Sequence, residues 1–292
     1  MNLKAELFVD SRCELGEGPF WHRHLDRLFW FDILNQTMLS AGADGHVVDR
    51  ITFKDVVAAA AVIDKNTLAV AQAGMLLRYD LTTDTATPIV AIEPDKPGNR
   101  TNDSRVDRTG GFWIGTMSRH GGQDKGAGAV YRYRAGELIQ LMDNITIPNS
   151  TCFSPDGRIA YFADTMNPRI LKCATDPATG LPVGEWTEFA STVGVGGPDG
   201  AVTDSEGCVW SARWGASCVV RHTPDGKVDR IVELPTSNVT CPAFGGKDMK
   251  TLYITTAREH KTPEQLEREP LAGSVFAINV DVPGLPEPDL VL

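Results

Sequence analysis

Short apolar runs separated by polar turns fill this chain, and the helical period, in which apolar residues recur every three or four positions, is nearly absent. The run Thr67-Leu68-Ala69-Val70-Ala71 follows the turn Asp64-Lys65-Asn66, and Val209-Trp210-Ser211-Ala212 follows Asp204-Ser205-Glu206-Gly207. Short apolar runs bounded by Gly, Asp, Asn and Pro are typical of β-strands. The pattern therefore predicts an all-β protein.

The same turn–strand–turn–strand order recurs about six times, with a period of roughly 40 to 50 residues. In each unit a strand rich in aromatic or branched residues is followed by a second one, such as Ala129-Val130-Tyr131-Arg132-Tyr133. A repeat of this length is typical of propeller blades, which are small sheets that stack around an axis. We therefore predict a single six-bladed β-propeller domain over residues 1–292. The alternative, an all-β sandwich with coincidental spacing, is disfavoured because the order holds in every unit.

Two segments fall outside the regular repeat. Glu6-Leu7-Phe8-Val9 has a strand pattern, and we expect it to complete the last blade, which would close the ring and remove free sheet edges. Residues 260–269 predict a helical turn, with Thr262 as the N-cap and Pro263 at the first helical position. We expect this turn to be a surface insertion in the last blade.

Composition narrows the range of partners. The formal net charge of -10 over 292 residues argues against nucleic acid and anionic membranes. The start of the chain lacks the apolar core of a signal peptide, and the longest apolar run, 56–63, is too short to cross a bilayer. The 6 cysteines form no Cys-x-x-Cys pair and no zinc spacing. We expect reduced thiols in a cytoplasmic protein that has no nucleic-acid or membrane partner.

Polar residues recur at one position of the repeat. In a propeller the innermost strand of each blade runs along the axis, and here that strand should precede the aromatic-rich strand by a turn. The residues in phase are Glu17, Val57, Asn102, Asn149, Asp199 and Cys241. The repeat phase therefore places two carboxylates and two amides at equivalent heights around one narrow space.

Asp199 stands at the end of a glycine-rich approach, with Pro198 before it and Gly200 after it. A carboxylate whose backbone is restrained in this way is well placed to bind a metal or to move a proton. The alternative is a turn aspartate that hydrogen-bonds its own backbone.

Carboxylate and amide oxygens suit a hard divalent cation such as calcium, magnesium or manganese. Glu17 and Asp199 are also compatible with zinc or iron(II) that keeps bound waters. Burying both carboxylates without a cation would be costly, so the set predicts one divalent metal site; the alternative is polar side chains paired with backbone. Arg100 is predicted either to hold a ligand oxygen or to neutralise Asp103.

Several motifs together resemble one known family. They are Leu15-Gly16-Glu17-Gly18-Pro19, Arg100-Thr101-Asn102-Asp103, Gly115-Thr116-Met117, Pro148-Asn149 and Pro198-Asp199-Gly200. At these motifs the chain resembles the regucalcin (senescence marker protein) and gluconolactonase family of six-bladed propellers, and its bacterial sugar lactonase branch in particular. The resemblance extends over nearly the whole chain.

This resemblance implies roles for individual residues. Glu17, Asn149 and Asp199 are expected to bind one divalent cation, and Asp199 is expected to act also as the catalytic acid and base. Arg100 and Asn102 are expected to contact a sugar lactone.

The implied reaction is the hydrolysis of an aldonolactone, either gluconolactone-like or a pentonolactone, to the open-chain sugar acid. No Gly-x-Ser-x-Gly motif supports a serine-esterase route. An alternative from a different class is a non-catalytic propeller that binds calcium or a protein partner.

One motif departs from the family pattern. Regucalcin-type members carry a substrate-contacting Glu shortly after Gly-Thr-Met, whereas this chain reads Ser118-Arg119-His120. We expect His120 to contact the ligand, with a surface-loop position as the alternative. Arg119 and Arg213 lie in segments predicted to reach the channel mouth, where they would suit aldarolactones, which carry a second carboxylate. Pairing of both arginines with acidic neighbours is the alternative.

Overall fold

The computed structural model describes residues 3–292, and within them 25 strands form six sheets arranged as a β-propeller. The first two strands are β1 (Leu3–Lys4) and β2 (Glu6–Val9). Blade 1 contains β3 (Gly16–His22), β4 (Arg27–Asp32), β5 (Thr37–Gly42) and β6 (Val47–Thr52). Blade 2 contains β7 (Val57–Asp64), β8 (Thr67–Gln72), β9 (Met75–Asp80) and β10 (Thr85–Ala91). The predicted all-β, six-bladed fold is confirmed.

The remaining blades repeat the same antiparallel order. Blade 3 contains β11 (Asn99–Val106), β12 (Phe112–Ser118), β13 (Gly128–Arg134) and β14 (Glu137–Ile145). Blade 4 contains β15 (Pro148–Phe153), β16 (Ile159–Asp164), β17 (Arg169–Ala174) and β18 (Thr187–Ser191). Blade 5 contains β19 (Gly197–Thr203), β20 (Val209–Trp214), β21 (Cys218–His222) and β22 (Val228–Glu233). Blade 6 contains β23 (Val239–Gly245), β24 (Thr251–Thr256) and β25 (Val275–Asn279).

The N-terminal segment closes the ring. Strand β2 pairs antiparallel with β25 and supplies the fourth strand of blade 6, as predicted. Strand β1 pairs in parallel with β22, so the same short segment also covers the outer edge of blade 5. The short strands β2 and β1 thus become the outer edge strands of the two sheets, and short edge strands offer little length for pairing with another chain.

The short helix α1 (Pro263–Arg268) lies between β24 and β25, as predicted. Thr262 caps it, because the Thr262 hydroxyl accepts from the Gln265 N–H and the Gln265 side chain accepts from the Thr262 N–H. A single 3₁₀ turn, Gly121–Gln123, follows β12. No helix described within residues 3–292 is long and apolar enough to span a membrane.

The core lies between the blades, where the aromatic-rich second strands pack. Trp30, Trp113 and Trp210, on β4, β12 and β20, are each 0% exposed. Their large apolar surfaces fill the wedge between neighbouring sheets, which is the main stabilising contribution in such a fold. The aromatic runs that marked each repeat in the sequence are therefore the inter-blade core.

Blades 3 and 5 each contain a buried polar corner, in which one aspartate binds a tryptophan and an arginine. In blade 3, Asp107 accepts from the Trp113 indole nitrogen at 3.0 Å and from Arg132 Nε at 2.6 Å. In blade 5, Asp204 accepts from the Trp210 indole nitrogen at 2.9 Å and from Arg221 Nε at 2.8 Å. The second oxygen of each aspartate accepts two N–H groups of its own turn. Each corner thus ties a turn to the second and third strands of its blade.

The C-terminal segment, 280–292, crosses the end of the propeller where the innermost strands finish. It bridges Gly284 to Asp204 of blade 5, and the Leu290 N–H donates to Val62 O of blade 2 at 2.7 Å. Glu287 forms an ion pair there with Arg105, a buried residue of β11. This end of the axis is therefore covered by chain, a feature that the repeat pattern did not predict.

The two polar corners make a matched pair for a stability test. Asp107→Asn is expected to lower the free energy of unfolding by about 3–5 kcal/mol, the usual cost of removing one partner of a buried ion pair. Asp204→Asn is expected to lose less, because Arg221 keeps Glu206 and Asp229 as partners. Urea unfolding of both variants measures the difference. Equal losses, or a larger loss at Asp204, would contradict the structural assignment of these corners.

Candidate active site

The site forms where the innermost strands begin, at the end of the axis opposite the C-terminal segment. All six of these strands break their regular pairing there with a register shift, which is the mark of a β-bulge. In the four blades with polar axial residues, the shifts fall between Glu17 and Phe20, Thr101 and Ser104, Asn149 and Cys152, and Pro198 and Ala201. Bulges re-aim side chains and are common beside active sites. They explain how several strands turn a polar group toward one point.

A cavity of about 300 Å³ opens at this point. Five residues singled out in the sequence line it together: Glu17, Arg100, Asn102, Asn149 and Asp199. The repeat phase was therefore a good guide to which side chains meet. Their roles toward a metal or a substrate stay predictions.

The two carboxyl groups lie side by side at the inner end of the cavity. Glu17 and Asp199 are each 6% exposed, and their carboxyls are hydrogen-bonded to each other. Burial, together with the charge of Asp103, raises the pKa of Glu17 to about 8. Burial and the charge of Glu17 raise the pKa of Asp199 well above its usual range. Two such groups cannot both ionise cheaply unless a proton or a cation compensates them.

A chain of hydrogen bonds orients the two amides. Arg100 Nη1 donates to Asn102 Oδ1 at 2.7 Å, so the Asn102 amide nitrogen faces Pro148 O at 2.9 Å. Asn149 Nδ2 donates to Thr165 Oγ1 at 2.7 Å, and Thr165 Oγ1 donates to Pro198 O at 2.8 Å. These bonds leave Asn149 Oδ1 with one long contact, 3.4 Å from Asn102 Nδ2. The Asn149 carbonyl oxygen is thus oriented as an acceptor in the cavity.

Arg100 does not neutralise Asp103. Its guanidinium donates to Thr101 O and Asn102 Oδ1, while Asp103 accepts from the Thr151 N–H at 2.8 Å. Burial raises the pKa of Asp103, and the positive charge of Arg105 opposes this effect by favouring the ionised carboxylate. Of the two alternatives for Arg100, the structure favours a guanidinium turned toward the cavity.

The expected substrate contact of His120 is not supported. Its side chain is 74% exposed, and its Nδ1 lies 3.1 Å from Asp124 Oδ2. His120 is the residue before the 3₁₀ turn, and that turn brings Gly121 and Gly122 to the cavity in its place. The sequence could not reveal this offset, because a local turn of three residues decides it.

The two other arginines have different positions. Arg119 lines the cavity, but both of its terminal nitrogens bind Asp55, at 2.9 and 2.8 Å. Arg213 is wholly buried inside blade 5 and does not line the cavity, which corrects its predicted place at the channel mouth. It donates to Ser211 Oγ at 2.9 Å and to His222 Nε2 at 2.8 Å. Its neighbour Trp214 lines the cavity instead, because successive strand residues point to opposite faces.

Some lining residues were not predicted. Thr165 follows β16, Trp214 ends β20 and Glu259 follows β24, so each stands where the second strand of a blade ends. The same repeat phase, applied to the second strand as well as the innermost one, could have found them.

The fold and the site define a six-bladed propeller with a polar site at one end of its axis. The chain belongs to the family described as the SMP-30/gluconolactonase/LRE-like region, which it matches over residues 15–258. It is 34% identical over 293 residues to the 6-deoxy-6-sulfogluconolactonase of Pseudomonas putida, with 99% of each chain covered. It is 34% identical over 277 residues to the L-arabinolactonase of Azospirillum brasilense, covering 94% of this chain and 91% of that one.

A solved structure gives the same result at the level of the fold. The crystal structure of a calcium-binding protein, regucalcin, from Agrobacterium tumefaciens matches with a TM-score of 0.96 and 36% identity. The match covers 100% of this chain and 99% of that chain.

The Arg213–His222 contact leads to a test of acid stability. Burial lowers the pKa of His222 to about 4, whereas an unfolded histidine titrates near 6.5. Between these values the unfolded chain binds a proton that the native chain excludes, so stability falls as pH falls from about 6.5 to about 4. The Gln amide in His222→Gln can still accept from Arg213 but binds no proton. Between about pH 6.5 and 4, the fall of Tm in this variant should therefore be smaller than in the parent chain by about 2–4 °C per pH unit.

The matched control is His46→Gln, which alters an exposed histidine. Tm is measured from pH 4 to pH 8 for both variants and the parent chain. If the slope of Tm against pH changes equally in both variants, or does not change in His222→Gln, a neutral His222 beside Arg213 is contradicted.

Proposed function

We propose that this protein is a metal-dependent sugar lactonase that hydrolyses an aldonolactone to its open-chain acid. The observation that carries the proposal is the buried pair of Glu17 and Asp199, in hydrogen-bond contact at the inner end of a cavity of about 300 Å³. A cavity of this size suits one small polar molecule. Membership of the gluconolactonase family and the named activities of two relatives support the same reaction.

The residues present fit a divalent cation. Glu17, Asn149 and Asp199 would hold it, because carboxylate and amide oxygens are the ligands of hard cations. A cation would also replace the proton that the paired carboxyls otherwise need. Calcium, magnesium and manganese suit such oxygens best, and zinc or iron(II) with bound waters is compatible. When bound, the cation would supply Lewis-acid polarisation of the lactone carbonyl.

Asp199 is the residue we assign to proton transfer. Its carboxyl lines the cavity beside Glu17, where a group that takes a proton from water and returns it can reach a bound lactone. Ser150 Oγ donates to the backbone oxygen of Asp199 at 2.5 Å and so restrains the bulge that carries it. We assign to Asp199 the transfer of a proton from the attacking water to the ring oxygen that leaves the carbonyl carbon.

Arg100 and Asn102 orient the sugar. Arg100 is 8% exposed and its Nη1 donates to Asn102 Oδ1 at 2.7 Å, so the two side chains orient each other. Donors held in place in this way lower the entropy cost of aligning the lactone with the attacking water. The partner is therefore a small-molecule sugar lactone, either gluconolactone-like or a pentonolactone.

All 6 cysteines are free thiols in the structure. Unpaired, mostly buried cysteines suit the reducing cytoplasm that we propose as the location of this enzyme.

The test of the proposed function is a panel of aldono- and aldarolactones, assayed with the metal-loaded protein and again after chelation. We expect hydrolysis of at least one aldonolactone and its loss in chelator, because carbonyl polarisation is then removed. Activity should return when calcium, magnesium, manganese, zinc or iron(II) is added back singly, which also identifies the effective metal. Binding of calcium without hydrolysis of any lactone would favour the non-catalytic alternative.

Asp199 and Glu17 are expected to differ in kind. With excess cation present, Asp199→Asn should lower kcat by about 10²–10⁴-fold, because a lost general acid–base cannot be replaced by metal. Glu17→Gln should lower the metal affinity and regain most of its kcat at saturating cation. Metal content is measured beside kcat for each variant. Near-normal turnover by metal-loaded Asp199→Asn would exclude the proton-transfer role.

A further inference from the structure

Glu259 places a carboxylate at the outer part of the cavity. Its side chain is 23% exposed and lines the same cavity as Arg100 and Glu17. Its backbone is held on both sides, because its N–H donates to Glu14 O at 2.8 Å and its carbonyl accepts from Asn238 Nδ2 at 2.9 Å. The carboxylate is therefore presented by a fixed loop.

Within the described residues, no lysine or arginine forms an ion pair with the Glu259 carboxylate. Within residues 3–292, the ion-pair partner found for Glu259 is His260, whose Nε2 lies 3.6 Å from Glu259 Oε1. The His260 ring is 78% exposed and carries a charge only when protonated. Burial lowers the pKa of Arg100, and several carboxylates oppose this effect by favouring the charged guanidinium. The largest of these opposing effects comes from Glu259. Its negative charge thus reaches into the cavity.

The other arginines add little positive charge at this point. Arg119 lines the cavity but is held by both oxygens of Asp55. Arg213 lies inside blade 5 and does not line the cavity. Apart from Arg100, whose guanidinium donates to Thr101 O and Asn102 Oδ1, the outer cavity therefore offers a carboxylate acceptor and no arginine without an ion pair among its described lining residues.

We propose that Glu259 determines substrate specificity at the end of the lactone remote from its carbonyl, by accepting hydrogen bonds from hydroxyl groups and disfavouring a second carboxylate. The inference rests on the proposed lactonase function and assigns aldonolactones, over aldarolactones, as the preferred class. Hydrogen bonds from hydroxyls to an ionised carboxylate are stronger than neutral ones. A like charge at the same point is an element that rejects the wrong substrate.

The test compares an aldonolactone with the aldarolactone of the same ring and stereochemistry. We expect the parent protein to have the higher kcat/KM on the aldonolactone. Glu259→Gln should lower that preference about tenfold or more, because it loses a charge-assisted bond and the repulsion together. Glu259→Asp keeps the charge and should still reject the diacid lactone. Glu267→Gln, on the exposed face of α1, is the matched control and should behave as the parent.

Dissociation constants of the corresponding open-chain acids give a second reading that does not need turnover. If the ratio of mono-acid to diacid affinity changes in Glu259→Gln, the role of Glu259 is supported even when no lactone is hydrolysed. Absence of hydrolysis would then reject only the lactonase proposal. An unchanged ratio in both kcat/KM and binding overturns the role of Glu259, whether or not the parent is active. Failure of every variant to bind either acid overturns it as well.

Discussion

The burial of two neighbouring carboxyls at one end of the propeller axis is the constraint on which this structure depends. Glu17 and Asp199 are desolvated and in contact with each other. Because two buried carboxyls tend to move apart, the surrounding chain must keep them in place. The bulges of the innermost strands do this at the cost of regular pairing. The rigid corners around Asp107 and Asp204, away from the axis, offset that cost, because they tie turns and strands together within their blades.

The two ends of the axis differ in how their charges are balanced. At the covered end, Arg105 pairs with Glu287 of the C-terminal segment and also acts on the buried Asp103. At the open end, two carboxyls, those of Glu17 and Asp199, lie near one arginine. This arginine, Arg100, favours the ionised form of Glu17. An excess of carboxyl oxygens therefore faces the cavity, and this asymmetry is the reason that we propose a cation at that end.

The repeat pattern predicted much of this arrangement, because a propeller maps sequence phase directly onto position around the axis. The blades and the meeting of Glu17, Asn149 and Asp199 at one cavity follow from that mapping. The helix lies outside the repeat and was predicted from its capping residues instead. The errors arise where the mapping fails. His120 is displaced by a local 3₁₀ turn, and Arg213 lies on the face of its strand opposite Trp214. The segment 280–292 has no repeat to reveal it, since long-range contacts alone hold it in place.

Blades 2 and 6 have Val57 and Cys241, rather than charged or amide side chains, at the repeat position that faces the axis, and they contribute to the rim instead. Asp55 precedes the innermost strand of blade 2 and holds Arg119, while Glu259 follows the second strand of blade 6. One rim contact removes a positive charge from the cavity mouth and the other adds a negative one. Both contacts favour a substrate whose far end carries hydroxyls, which agrees with our proposal that the blades without polar axial residues set selectivity and that the other blades carry the reacting groups.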